Sequence, residues 1–142
     1  MSPHSIAILL KDLLFFARTA TLVLGAIAIG YGALTLVFGE ALWDGPSHVY
    51  GTALSVPYAP QSWGLVAMAA GICVISGQLL DRHRLIIVGA TVMVLWFLFF
   101  GGSFLFDVVE SQSPFGAPGA LVYLSLCLLM ALRSAVKVPG RL

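Results

Sequence analysis

The side chains able to carry chemistry are few in this sequence, and their spacing keeps them apart. Its three histidines, His4, His48 and His83, fall in three different segments. Glu40, Asp44 and His48 recur every fourth residue, a spacing that aligns metal ligands along one helix face. Gly45-Pro46 interrupts any helix between the last two, so no metal site is expected there. Cys73 and Cys127 each sit inside an apolar run at similar depth. A thiol in such a place behaves as a small hydrophobe, and two cysteines make no disulfide framework. No phosphate-binding loop, catalytic serine motif or haem-attachment motif occurs. The chain therefore reads as a non-enzyme, with no catalytic residue, no metal and no cofactor expected.

The elements that would position these side chains follow from composition. Sixty per cent of the 142 residues are hydrophobic, 9% are charged, and the mean hydropathy is +1.03. A water-facing domain carries about 25% charged residues, so the solvent for most of this chain is expected to be lipid. The formal net charge of +1 points to no nucleic-acid partner.

Crossing a hydrocarbon core takes about 20 apolar residues in a helix. Four runs qualify, at about 19–38, 62–80, 85–106 and 117–135. They are continuous rather than alternating, which excludes a barrel. The expected architecture is one all-α integral membrane domain, 1–142, a bundle of four transmembrane helices. Loops at 39–61 and 107–116 join the spans on one side.

Lys11, Arg18, Arg82, Arg84, Arg133, Lys137 and Arg141 are all the basic residues, and all fall on the opposite side from those loops. The loops carry Glu40, Asp44, Asp107 and Glu110 instead. The positive-inside rule then puts both termini in the cytoplasm of a bacterial cell, with the spans in its inner membrane. The same seven basic residues suit anionic lipid headgroups. Trp43, Tyr58 and Trp63, with Tyr50, stand near the outer boundary and are expected to act as interfacial anchors.

Residues 2–18 read as an amphipathic helix on the inner membrane surface, capped by Ser2 and started by Pro3. His4, Lys11 and Arg18 share its polar face, and Ile6, Leu9, Leu10, Leu13, Leu14 and Phe16 fill much of the rest. Ala26-Ile27-Ala28 imitates a signal-peptide cleavage site, but the segment is read as retained. In the first span Thr21, Gly25, Ala28, Gly32 and Thr35 form a seam of small residues. Ala26, Gly30 and Ala33 form a second stripe on another face. The second span adds Ala67, Gly71 and Gly77. Small residues let helix backbones approach in lipid, so these two spans are expected to be the packing centre. The third span carries Trp96, Phe97, Phe99 and Phe100 in its outer half, expected to face lipid or a neighbouring subunit.

Arg133 at the inner end of the fourth run aside, the four runs hold no charged side chain at depth that would mark an ion path or proton relay. Their hydroxyls can bond back to helical carbonyls.

The stretch Tyr58-Ala59-Pro60-Gln61-Ser62-Trp63-Gly64, followed by Gly71 and Gly77, resembles a junction in small four-span membrane proteins of actinobacterial phages. Some of those are encoded beside lysis enzymes and are holin-like. The resemblance implies a protein that assembles laterally as a homo-oligomer until the membrane becomes permeable. The alternative is a non-catalytic accessory subunit of a larger membrane complex. A small transporter or channel ranks below both, because no charged site is expected at depth.

Overall fold

The computed structural model describes residues 3–43, 50–112 and 114–135. Among these residues every regular element is a helix, and there is no strand. Helix α1 spans Pro3–Phe38, α2 is a single turn at Gly51–Leu54, α3 spans Gln61–Leu79, α4 His83–Ser111 and α5 Ala117–Ala135. Short 3₁₀ turns at Gly39–Leu42 and Pro114–Gly116 follow α1 and precede α5. The four long helices are each long and apolar enough to cross a membrane. Capping by Ser2 and the placement of Asp44, His48, Lys137 and Arg141 lie outside the described residues.

Two helices are longer than the sequence reading expects. At 1.5 Å per residue α1 is about 54 Å long and α4 about 43 Å, against about 28 Å for α3 and α5. The segment read as a separate surface helix is continuous with the first span, because no glycine or proline stands between Pro3 and Gly25 to break it. The expected loop at 107–116 is likewise corrected. Residues 107–111 are the last turns of α4, which ends where Gln112 turns left-handed at φ 51°.

Local chemistry explains the other ends. Gly39 takes φ +52°, a conformation costly for side-chain-bearing residues, and turns the chain out of α1. At the end of α3 the Arg82 N–H reaches back to the Gly77 carbonyl at 2.8 Å, with Asp81 left-handed at φ 51°. That is a Schellman closure, and it lets α4 start two residues later.

The long helices run alternately up and down. Gly25 faces Gly71 and Gly32 faces Gly64 across α1 and α3; Gly77 faces Ile86 and Gly89 faces Ala70 across α3 and α4. Gly101 faces Tyr123, and Gly119 faces Phe104, across α4 and α5. This register brings Lys11, Arg18, Arg82, Arg84 and Arg133 to one end of the bundle and Glu40, Asp107 and Glu110 to the other. It also leaves the first turns of α1 projecting beyond the end of α3, with Ile6, Leu9, Leu10, Leu13 and Phe16 exposed.

The core is graded. Ala28 of α1 and Ala67 of α3 are buried in it, and Ala70 and Val74 of α3 meet Gly89 of α4. Met93, Trp96, Phe97, Phe100 and Phe104 fill it around α4. The expectation that the bulky third-span residues face outward is therefore corrected for Trp96, Phe97 and Phe100, and Phe99 alone of the four aromatics is exposed. Small residues on α1 and α3 bring those helices together, and the wider space toward α5 admits rings.

Candidate functional site

The seam between α1 and α3 is set by atoms that glycine lacks. A Cβ on Gly25 would lie 2.7 Å from Cγ1 of Ile75, and one on Gly71 would lie 2.6 Å from the Gly25 carbonyl oxygen. On Gly64 it would stand 2.9 Å from the Thr35 Cβ, and on Gly32 it would be 2.7 Å from the Met68 Cβ. All are well inside the 3.5–4.0 Å at which carbon atoms attract, so any side chain there forces the helices apart. Thr21 and Thr35 are fully buried on the same face, and each donates its hydroxyl to its own helix, to Ala17 O at 2.7 Å and Tyr31 O at 2.9 Å. Gly77 performs the same service toward α4, where a Cβ would meet the Ile86 nitrogen at 2.7 Å.

The second stripe on α1 is used differently. Ala26, Gly30 and Ala33 are exposed, and a Cβ on Gly30 would meet nothing within 4 Å. One small-residue face of α1 is consumed by α3, and the other is left open.

Opposite the seam, Tyr31 of α1 closes the bundle. Its ring stands 5.1 Å from Trp96, 5.6 Å from Phe100 and 6.4 Å from Tyr123, all edge to face. Trp96 stacks on Phe100 at 5.1 Å, and Phe104 stacks on Tyr123 at 5.7 Å. Such pairs add about 0.5–1.5 kcal/mol each beyond burial. These rings are part of the buried core among the described residues.

Two indoles tie this core to α3 and α2. Trp96 donates its Nε1–H to the Trp63 carbonyl at 3.0 Å, and Trp63 donates its own to the Ala53 carbonyl at 2.8 Å. Trp43 is buried, stacked on Tyr50 at 4.9 Å and packed against Phe100. Of the four tryptophan and tyrosine side chains expected at the interface, Tyr58 alone is fully presented outward, at 89% exposure. Trp43 and Trp63 are instead pieces of the core.

Asp107, expected in an exposed loop, is 9% exposed on α4. Its carboxylate accepts the Thr52 N–H at 3.1 Å and the Thr52 hydroxyl at 2.5 Å, fastening α2 to the end of α4. A cleft of about 480 Å³ opens beside the pair, lined by Ser55, Phe106, Glu110 and Ser111. Sequence reasoning missed this contact. Its signal was the run Met93, Trp96, Phe100, Ser103, Asp107, which places the carboxylate on the same face of α4 as the aromatic core.

At the other end, Arg133 of α5 donates its Nε–H to the Thr21 hydroxyl at 2.6 Å. Lys11, Arg82 and Arg84 are exposed, as are His4 and His83. Both cysteines are free thiols, and the Cys127 sulfur faces the Val94 carbonyl at 3.5 Å. Glu40 is exposed, while its expected companions Asp44 and His48 lie outside the described residues; among the described residues no three potential metal ligands converge.

Compared with protein-family models, curated proteins and solved structures, the chain matches none.

Proposed function

We propose that this protein assembles with copies of itself in the bacterial inner membrane and permeabilises it, in the manner of the holin-like proteins it resembles. Both termini face the cytoplasm in this reading, as the one-ended distribution of basic residues favours. The projecting start of α1 then meets the inner leaflet, with its apolar side chains in the acyl boundary and Lys11 reaching to the headgroups.

The observation that carries the proposal is the open stripe Ala26, Gly30, Ala33 on a helix whose other small-residue face is already filled. In lipid, close backbone approach through small residues drives helix association. The aromatic core supports the same reading: with the interior of one copy occupied, a leak must form between copies.

Expression in bacteria tests the proposal. A membrane potential that collapses abruptly after a defined lag is the expected result, followed with a potential-sensitive dye. Cells that accumulate the protein in their membrane, keep their potential and keep growing would overturn it. Stoichiometric recovery of an unrelated membrane protein from the native host would favour the accessory-subunit reading instead.

A further inference from the structure

We infer that the contact between α1 and α5 is exchangeable: α5 leaves its own α1 and makes the same contact with α1 of a second copy, so that closed bundles join into a wider ring. The inference rests on the assembly proposed above and adds a second surface to the open stripe of α1.

Uneven packing is the first observation. Glycines bring α1 onto α3 at Gly25, α3 onto α4 at Gly77 and α4 onto α5 at Gly101. Among the described residues no glycine of α1 or α5 meets the other helix, and this side of the bundle is the most thinly packed of the four. Close packing, rather than a hydrophobic effect, holds helices together in lipid. The α1–α5 side therefore parts before the other three, leaving α1, α3, α4 and α5 as an open arc.

Register is the second. Arg133 of α5 donates to the Thr21 hydroxyl of α1 at 2.6 Å, and the Tyr123 ring stands 6.4 Å from the Tyr31 ring. Ten residues along α1 thus match ten residues back along α5, which sets the two ties about 15 Å apart on one antiparallel contact. The buried Leu24 and Met130 lie between them. Turning a second copy about the membrane normal keeps every residue at its depth. Its α5 then meets α1 of the first copy in the same register and with the same partners. Head-to-tail contacts of this kind close into rings.

The third is a polar group left unmet in the closed bundle. The Tyr31 hydroxyl is buried without a hydrogen-bond partner, which is costly. When two arcs join, twice as many helices surround the central space, and water reaches that hydroxyl. The lumen is lined by the face that closes the core of one copy, with Tyr31, Trp96, Phe100 and Tyr123 upon it.

The test uses the full chain in bacterial membranes, with Cys73→Ala and Cys127→Ala removing the native thiols. One chain carries Leu24→Cys and another Met130→Cys, told apart by tags of different size and co-expressed; both ties are kept. A short, membrane-permeable bifunctional thiol reagent should join the two chains to each other and neither to its own kind. With both substitutions in one chain, reagent added before the membrane potential falls should link the chain internally, leave its size on a denaturing gel unchanged and abolish the collapse. Absence of the mixed product, or a full collapse in cells whose chains are internally linked, would overturn the exchange. The potential is read separately: a mixed product in cells that keep their potential would support the exchange and remove the permeabilising role. If either substitution unfolds the chain by circular dichroism, Thr21→Cys and Arg133→Cys replace the pair and are read the same way.

Discussion

The carboxylate of Asp107 holds both the N–H and the hydroxyl of Thr52, 55 residues away in sequence. This one group satisfies the start of α2 and ties the segment before α3 to the far end of α4. Removing one partner leaves the other buried and unpaired, a cost of about 1–3 kcal/mol. Asp107→Ala should therefore lower the melting temperature and expose the Thr52 amide to hydrogen exchange. Asp107→Asn, which keeps one acceptor oxygen, should lose less. Unchanged exchange at Thr52 in Asp107→Ala would show that the carboxylate does not hold the segment.

The two faces of α1 separate folding from assembly. Gly25→Leu and Gly32→Leu should disrupt the packing of α1 on α3, since overpacking typically costs about 1–3 kcal/mol and here the obstacles include backbone. Phe99→Leu, at an exposed position, should matter much less. Gly30→Leu should leave the monomer's helicity and melting temperature intact but change the oligomer distribution and delay permeabilisation. Cross-linking in membranes, beside circular dichroism of the purified chain, distinguishes these outcomes. Equal tolerance at positions 25, 30 and 32 would refute the assignment of the faces.

Within the aromatic core, truncation and bond removal are separable. Phe100→Ala removes a fully buried ring and should cost about 3–5 kcal/mol. Trp96→Phe keeps a ring but loses the hydrogen bond to the Trp63 carbonyl, a loss of about 1 kcal/mol. Thermal unfolding in one detergent compares the pair. A smaller loss for Phe100→Ala than for Trp96→Phe would contradict the packing described.

Tyr50 provides a pH signature outside the spans. Burial raises its phenol above the ordinary value of 10.0, because the phenolate loses its hydration. The unfolded chain ionises first, so the stabilisation from Tyr50 is fully present below about pH 10 and is lost as pH rises through the folded value. Tyr50→Phe should flatten that part of the stability profile. A wild-type profile equally steep in the variant would assign the alkaline loss to other groups.

How far the sequence carried the structure depends on which solvent each residue meets. Apolar length, the gathering of basic residues and the small-residue spacing are local properties, so four long apolar helices and the α1 seam of Thr21, Gly25, Ala28, Gly32 and Thr35 were legible from the chain. Which large side chains turn inward was not. In water a polar face marks the outside of a helix, but in lipid both faces are apolar and that contrast disappears. Phe99 and Phe100 are identical in type and adjacent in sequence, yet one is exposed and the other fully buried. Tertiary packing alone made that choice, by closing α1 onto α3 and leaving a wider space toward α5 that Trp96, Phe100 and Tyr123 fill. It also decided the fate of the scattered polar groups with which the sequence reading began. Glu40 is exposed, and its spaced companions Asp44 and His48 lie outside the described residues. Asp107 with Thr52, and Thr21 with Arg133, are remote along the chain and were brought together by helix packing.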